Sequence, residues 1–209
     1  MTLRLVLATR NPGKVAEVRR ILAGLEVELL DAADMDLPAV EEDGETFADN
    51  ARLKARTGAA ACGLPCVADD SGLVVDALGG APGVHSARYA GEQGQDAANL
   101  RLVLERTRGV ADRTAAFVCV AALATPDGRD WLAVGELRGT LADAPRGDGG
   151  FGYDPIFVPD GETRTTAELD PAEKDAISHR GLAFRAIRPA VEALVEAASA
   201  PEPFTDSSP

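Results

Sequence analysis

Hydrophobic positions follow two rhythms along this chain, and each change of rhythm marks an element. Residues 3–8 are a short apolar run ended by Thr9-Arg10-Asn11-Pro12, which predicts a buried strand. Val15, Val18, Ile21, Leu22 and Leu25 then recur at helical spacing. Asn11 stands at the N-cap position and Pro12 at the first helical position. Residues 27–30 predict a second strand. Thr46 with Asp49 makes a weak capping box for a helix to about residue 61, stopped by Gly63. Residues 66–68 and 73–75 read as strand pieces flanking Asp69-Asp70-Ser71-Gly72, and residues 79–83 as loop. Asp96 starts a helix that carries Leu100, Val103 and Leu104 and stops at Gly109. Residues 115–125 and 131–138 predict two long strands, joined by the hairpin signal Pro126-Asp127-Gly128. A Gly-rich loop at 146–150, an apolar piece at 156–158 and a short helix opened by Asp170-Pro171 follow. The last helix is expected over 178–198, with a kink at Pro189. A βα start with a long hairpin predicts an α/β domain with a mixed sheet over residues 1–199, and residues 200–209 read as a disordered tail.

Composition narrows the class. Hydrophobic residues are 45% and aromatics 4%, so the core is built from aliphatics and alanine. No apolar run approaches the ~18 residues of a membrane span. The N-terminus enters a strand pattern directly, with no basic n-region or cleavage site, so the expected compartment is the cytoplasm. Cys62, Cys66 and Cys119 fit that setting as small buried hydrophobes, because no second Cys/His pair completes a zinc site. Net charge is −13, which argues against nucleic-acid and membrane-surface partners. Such a chain binds a polyphosphate only if its few cations converge and a divalent metal helps.

The choice of cation is informative. Only three of the 21 Lys and Arg residues are lysine: Lys14, Lys54 and Lys174. Each falls in a motif-like segment. Ammonium is a compact point charge and guanidinium a broad planar fork, so the two are not interchangeable at a tight phosphate site. The loop Thr9-Arg10-Asn11-Pro12-Gly13-Lys14 opens a helix, whose dipole and free backbone N–H groups favour an anion. It is not a Walker loop.

The other chemical segments are acidic or aromatic. Asp69-Asp70-Ser71-Gly72, taken alone, is a polar turn. Adjacent carboxylates in extended chain nevertheless point in opposite directions, so one can face a metal or water and the other its own support. Glu41-Glu42-Asp43 is a second acidic cluster, and two carboxylates plus substrate phosphate oxygens suit Mg²⁺. Gly149-Gly150-Phe151-Gly152-Tyr153-Asp154-Pro155 places aromatics in a loop, where they either stack on a base or turn into the core. Ser178-His179-Arg180 starts the last helix, and Arg180 offers a hydrogen-bonding fork to a keto oxygen or phosphate. His85 reads as incidental.

Together these segments resemble the inosine triphosphate pyrophosphatase family, enzymes that remove noncanonical purine nucleoside triphosphates. The matching stretches are 7–14, 41–54, 68–73 with 79–83, 86–89, 149–157, 166–169 and 174–181, in the family's order. Arg10 departs from the pattern, which commonly has a small residue there. The resemblance implies a long curved mixed sheet, two lobes with the nucleotide in a central cleft, and a homodimer. It implies that Thr9, Asn11 and Lys14, within the loop that also holds Arg10, Pro12 and Gly13, bind the triphosphate. Glu42 and Asp70 would hold Mg²⁺, and Asp70 would help deprotonate the attacking water with Asp69 in support. Lys54 and Ser71 would contact phosphate, and Phe151 would stack on the base. Gly152 belongs to the same loop, and Tyr153, Asp154, Lys174, His179 and Arg180 would complete the base and sugar pocket. The implied reaction yields a nucleoside monophosphate and pyrophosphate. Two other readings remain open at this point. One is an aspartyl-phosphate phosphatase using Asp69 or Asp70, although the D-x-D spacing is missing. The other is a non-catalytic nucleotide-binding sensor module.

Overall fold

The computed structural model describes residues 2–92 and 94–199. The tail expected at 200–209 lies outside the described residues. Strand β1 (Leu3–Leu7) leads through the Asn11 cap into helix α1 (Pro12–Ile21). Strand β2 (Val27–Asp31) and helix α2 (Phe47–Cys62) follow. Thr46 Oγ1 accepts the Asp49 N–H at 3.1 Å to cap α2, and Gly63 ends it at a φ of 67°. Then come β3 (Cys66–Val75), α3 (Asp96–Arg106), β4 (Thr114–Ala124) and β5 (Asp130–Leu141). The last elements are β6 (Phe157–Pro159), α4 (Pro171–Ile177) and α5 (His179–Ser199), which runs on through Pro189.

The six strands form one mixed, curled sheet in the order β2-β1-β3-β4-β5-β6. β2, β1 and β3 are parallel, which their helical crossover connections allow, and β3 to β6 are antiparallel. Strand alternation divides the core. Leu5 and Leu7 face α1 and α5, with Phe184, Ile187 and Val191, while Val6 faces α2, with Ala51, Ala55 and Ala59. A third cluster fills the far halves of β3 to β5, where Leu73, Phe117 and Phe157 meet Val103 of α3. The cleft lies between this far cluster and the other two.

One expected boundary is corrected. Asp69-Asp70-Ser71-Gly72 is not a turn but the middle of β3, with each residue paired to β4 from Asp69↔Ala121 to Gly72↔Val118. Four polar or flexible residues in a row look like a turn to any local reading. Here a long partner strand of small apolar residues pairs every one, and cations from distant elements neutralise the carboxylates. Among the described residues no helix is long and apolar enough to cross a membrane. Cys66 and Cys119 are buried and Cys62 is half-buried, and all three are free thiols.

Candidate active site

The cleft holds a cavity of about 520 Å³. Thr9, Arg10, Asn11, Pro12 and Lys14 line it from the β1–α1 loop, and Glu42, Lys54, Asp70 and Ser71 from the α2 side and mid-sheet. Phe151, Gly152, Tyr153 and Asp154 line it from the aromatic loop, and Lys174, His179 and Arg180 from α4 and α5. Thus the three lysines, separated by up to 160 positions in sequence, meet in one space. Gly13 and Asp69 are not part of its wall.

The first loop differs from the sequence-based reading in one respect. Asn11 Oδ1 accepts the N–H groups of Gly13, at 2.9 Å, and Lys14, at 3.2 Å. Those first-turn amides are therefore taken by the cap rather than left for an anion. The dipole remains, and the loop's charge comes from the Lys14 ammonium. Arg10 turns away to donate to the Leu37 carbonyl at 2.6 Å.

Adjacent carboxylates in β3 reach opposite faces of the sheet. Asp69 faces α1 and α5, where its Oδ2 meets Lys14 at 3.0 Å and Arg180 at 3.0 Å. Burial would raise its pKa, but the charges of Lys14, Arg180 and Lys54 outweigh that and hold it well below the usual carboxylate range. Asp70 faces α2, where Asn50 Nδ2 donates to it at 3.1 Å and Lys54 Nζ lies at 3.3 Å. Its pKa is raised, because burial and the nearby Glu42 charge outweigh Lys54, Lys14 and the Asn50 hydrogen bond. Only Asp70 opens on the cavity, so Asp69 cannot act as a nucleophile or a base there and serves to place Lys14 and Arg180.

Lys54 Nζ also reaches Glu42 Oε1 at 3.1 Å, so one ammonium sits between the two carboxylates expected to bind metal. Glu41 and Asp43 are exposed and do not line the cavity. Among the described residues no group of three or more His, Cys, Asp or Glu could hold a metal by protein atoms alone. Glu42 and Asp70 do fit Mg²⁺: they are hard oxygen donors, they already share one cation, and this ion is usually held by one or two carboxylates plus substrate phosphates.

A buried network runs from the β1–α1 loop to the aromatic loop. Arg180, 1% exposed, donates to Asp69, to Ser71 Oγ at 2.7 Å and to Glu17 Oε2 at 2.6 Å. Its fork is thus largely committed to protein rather than offered to a keto oxygen. Glu17 Oε1 then takes Lys174 at 2.7 Å, and Lys174 reaches Asp154 Oδ2 at 2.5 Å. Burial would raise the Glu17 pKa, yet Arg180 and Lys174 lower it. Asp154 Oδ2 in turn accepts the Phe151 N–H at 2.8 Å.

The two aromatic alternatives are each realised once. Phe151 stands half-buried in the cavity, with Lys174 Nζ 5.1 Å and the Arg180 guanidinium 5.6 Å from its ring centre. A methyl group at Gly13 would come within 2.7 Å of its Cδ1, so the glycine leaves room for the ring. Tyr153 turns into the far core and its hydroxyl donates to the Ser86 carbonyl at 2.8 Å. His179 is stacked on Phe117, with ring centres 4.7 Å apart, and burial together with Arg180 and Lys174 keeps it neutral.

Sequence reasoning missed Glu17 and Asn50. Glu17 is an isolated carboxylate in a helix, with no local sign that it would be buried. Asn50 is 0% exposed and also accepts the Gly44 N–H at 2.9 Å, tying the Glu42 loop to Asp70. Its position one helical turn before Lys54 was the available signal.

Known proteins resemble this chain at high similarity. A dITP/XTP pyrophosphatase of Streptomyces coelicolor is 58% identical over 197 residues, covering 92% of this chain and 98% of that protein. A dITP/XTP pyrophosphatase of Nocardia farcinica is 53% identical over 203 residues, covering 92% and 97%. The solved structure of a HAM1 protein from Coxiella burnetii matches with a TM-score of 0.83 at 44% identity, over 91% of this chain and 99% of that one. The profile of the Ham1 family matches residues 5–190, and the chain belongs to that family.

Proposed function

We propose that this protein hydrolyses noncanonical purine nucleoside triphosphates (inosine, deoxyinosine and xanthosine triphosphates) to the monophosphate and pyrophosphate. The observation that carries the reading is a single cavity lined by two chemically unlike sets of groups. Lys14, Lys54 and Asp70 make one set, and the Phe151 ring with its flanking cations makes the other. Relatives named dITP/XTP pyrophosphatase support the same reading.

Lys14, Thr9 and Asn11 would hold the triphosphate, with Lys54 and Ser71 also reaching phosphate oxygens. Phe151 would lie against the base, on a loop tied through Asp154 to Lys174. Asp70 would orient water and take its proton, and its raised pKa makes it a stronger base than an ordinary carboxylate. Glu42 and Asp70 would hold Mg²⁺, which when bound supplies positive charge to the phosphate oxygens. Chemistry of this kind is mostly positioning and charge neutralisation.

The deciding experiment assays pyrophosphate separately from orthophosphate over a nucleotide panel, with Mg²⁺ and with chelator. Inosine and xanthosine triphosphates should exceed adenosine triphosphate in kcat/KM by a large factor, because a site built around a 6-keto group leaves donors unpaired against a 6-amino group. Guanosine triphosphate should be poor and pyrimidines poorest, while deoxyinosine triphosphate should turn over. Equal rates on adenosine and inosine triphosphates would reduce the assignment to a general nucleotide pyrophosphatase. The reading includes a homodimer acting in the cytoplasm, which sedimentation and cell fractionation test.

A further inference from the structure

We infer that Asp96 is a positioning residue that clasps the aromatic loop to helix α3 and so fixes where Phe151 meets a base. The inference rests on the nucleotide reading of the cavity. The loop from Arg146 to Gly152 is costly to order, because Gly147, Gly150 and Gly152 adopt φ values of 82°, 70° and 62°. Most of its backbone bonds go to the segment that follows it in the chain, residues 154–167. Arg146 N–H donates to the Pro155 carbonyl at 2.8 Å, Gly149 N–H to the Ala167 carbonyl at 3.0 Å, and Phe151 N–H to Asp154 Oδ2 at 2.8 Å.

Gly152 N–H is the exception. Among the described residues it makes the one hydrogen bond from this loop to α3, to Asp96 Oδ2 at 2.9 Å. A carboxylate accepting a backbone N–H is a charge-assisted bond, stronger than a neutral one. The acceptor stands on fixed ground. Asn99, one helical turn further along α3 and 2% exposed, accepts the Ala90 N–H at 2.7 Å and donates to the Ala87 carbonyl at 3.2 Å. Asp96 itself is exposed and lines the same cavity as Phe151. Phe151 therefore lies between two tethered amides: its own N–H is tied to Asp154 and the next N–H to Asp96 of α3. This is a role that the nucleotide-contacting residues do not fill.

The test compares Asp96→Ala with Asp96→Asn, since asparagine keeps an oxygen acceptor at the same reach. The alanine variant should raise KM for inosine triphosphate by about 5- to 20-fold with kcat within twofold of the parent. Hydrogen exchange of residues 147–152 should speed up by about tenfold or more. The asparagine variant should recover both to within about threefold. Asp96 is an exposed first residue of its helix, so the fold should persist, and the exchange of β3 and β4 checks it. Unchanged KM and exchange in the alanine variant would overturn the clasp. So would an asparagine variant as impaired as alanine, which would assign the effect to charge, or a loss of kcat at constant KM. Exchange needs no turnover, so a wild-type protein without pyrophosphatase activity would sink the functional reading separately from the clasp.

Discussion

Asp69 and Asp70 are neighbours in one strand and titrate in opposite directions. Asp69 is held low by Lys14, Arg180 and Lys54 against its burial, while burial carries Asp70 upward. Period-two alternation sends each carboxylate to a different face, and the helices packed on those faces set the charge each one meets. In the proposed reaction, a pair pushed apart in this way separates the supporting acid from the reactive one.

For Asp70, replacement by Asn removes the proposed base while keeping the shape. Turnover should fall by roughly 10²-fold or more. A carboxyl whose folded pKa exceeds its unfolded value costs stability once pH rises above the unfolded pKa, with the full cost above the folded one. Asp70→Asn should therefore melt at the same temperature as the parent or higher at pH 8 in metal-free buffer, and the difference should vanish near pH 3. Near-parental turnover would remove Asp70 from the mechanism.

Asp69→Asn has the opposite signature. Its folded pKa lies below its unfolded value of about 3.9, so the stability it adds is full above that pH and is lost as pH falls. The variant leaves Lys14 and Arg180 partly uncompensated in a buried place, at a cost of about 3–5 kcal/mol. Urea unfolding should show that gap at pH 7 and a smaller one at pH 3. A gap that is constant with pH would mean that packing, not charge, sets the loss.

Lysine geometry is tested by Lys→Arg at 54 and 174. Lys54 fits between Glu42 and Asp70, and Lys174 between Glu17 and Asp154, both with buried ammonium groups. The larger fork conserves charge but cannot keep both bonds in the same space. Each variant should lose ~10-fold or more in kcat/KM, about 1.4 kcal/mol. Activity equal to the parent in both would show that charge alone is needed.

Gly13→Ala probes the ring from the side of α1. Alanine favours helix by up to about 1 kcal/mol over glycine, so stability should hold or rise. The added methyl group would stand 2.7 Å from Phe151 Cδ1, so the ring must shift. KM for inosine triphosphate should increase several-fold with kcat little changed. An unaltered KM would show that Phe151 is not placed by this contact.

The amino-acid sequence by itself determined the elements and where the chemistry sits along them. The Asn11 and Thr46 caps and the helix opened at Asp170-Pro171 depend on side chains bonding to backbone a few residues away, and the stop at Gly63 and the turn at Pro126-Asp127-Gly128 on the positive φ that glycine allows. The same local logic foresaw that Asp69 and Asp70 would diverge. Tertiary structure alone decided what each group meets. It turned Asp69-Asp70-Ser71-Gly72 from an apparent turn into a paired strand, because β4 supplies a partner for every residue. It also split the aromatic loop, with Phe151 in the cleft and Tyr153 in the core. Glu17 is the clearest case: its partners Lys174 and Arg180 lie 157 and 163 residues away, brought together by the packing of α1 against α4 and α5. Burial and ion pairing are properties of such distant neighbours, and a chain's local pattern does not contain them.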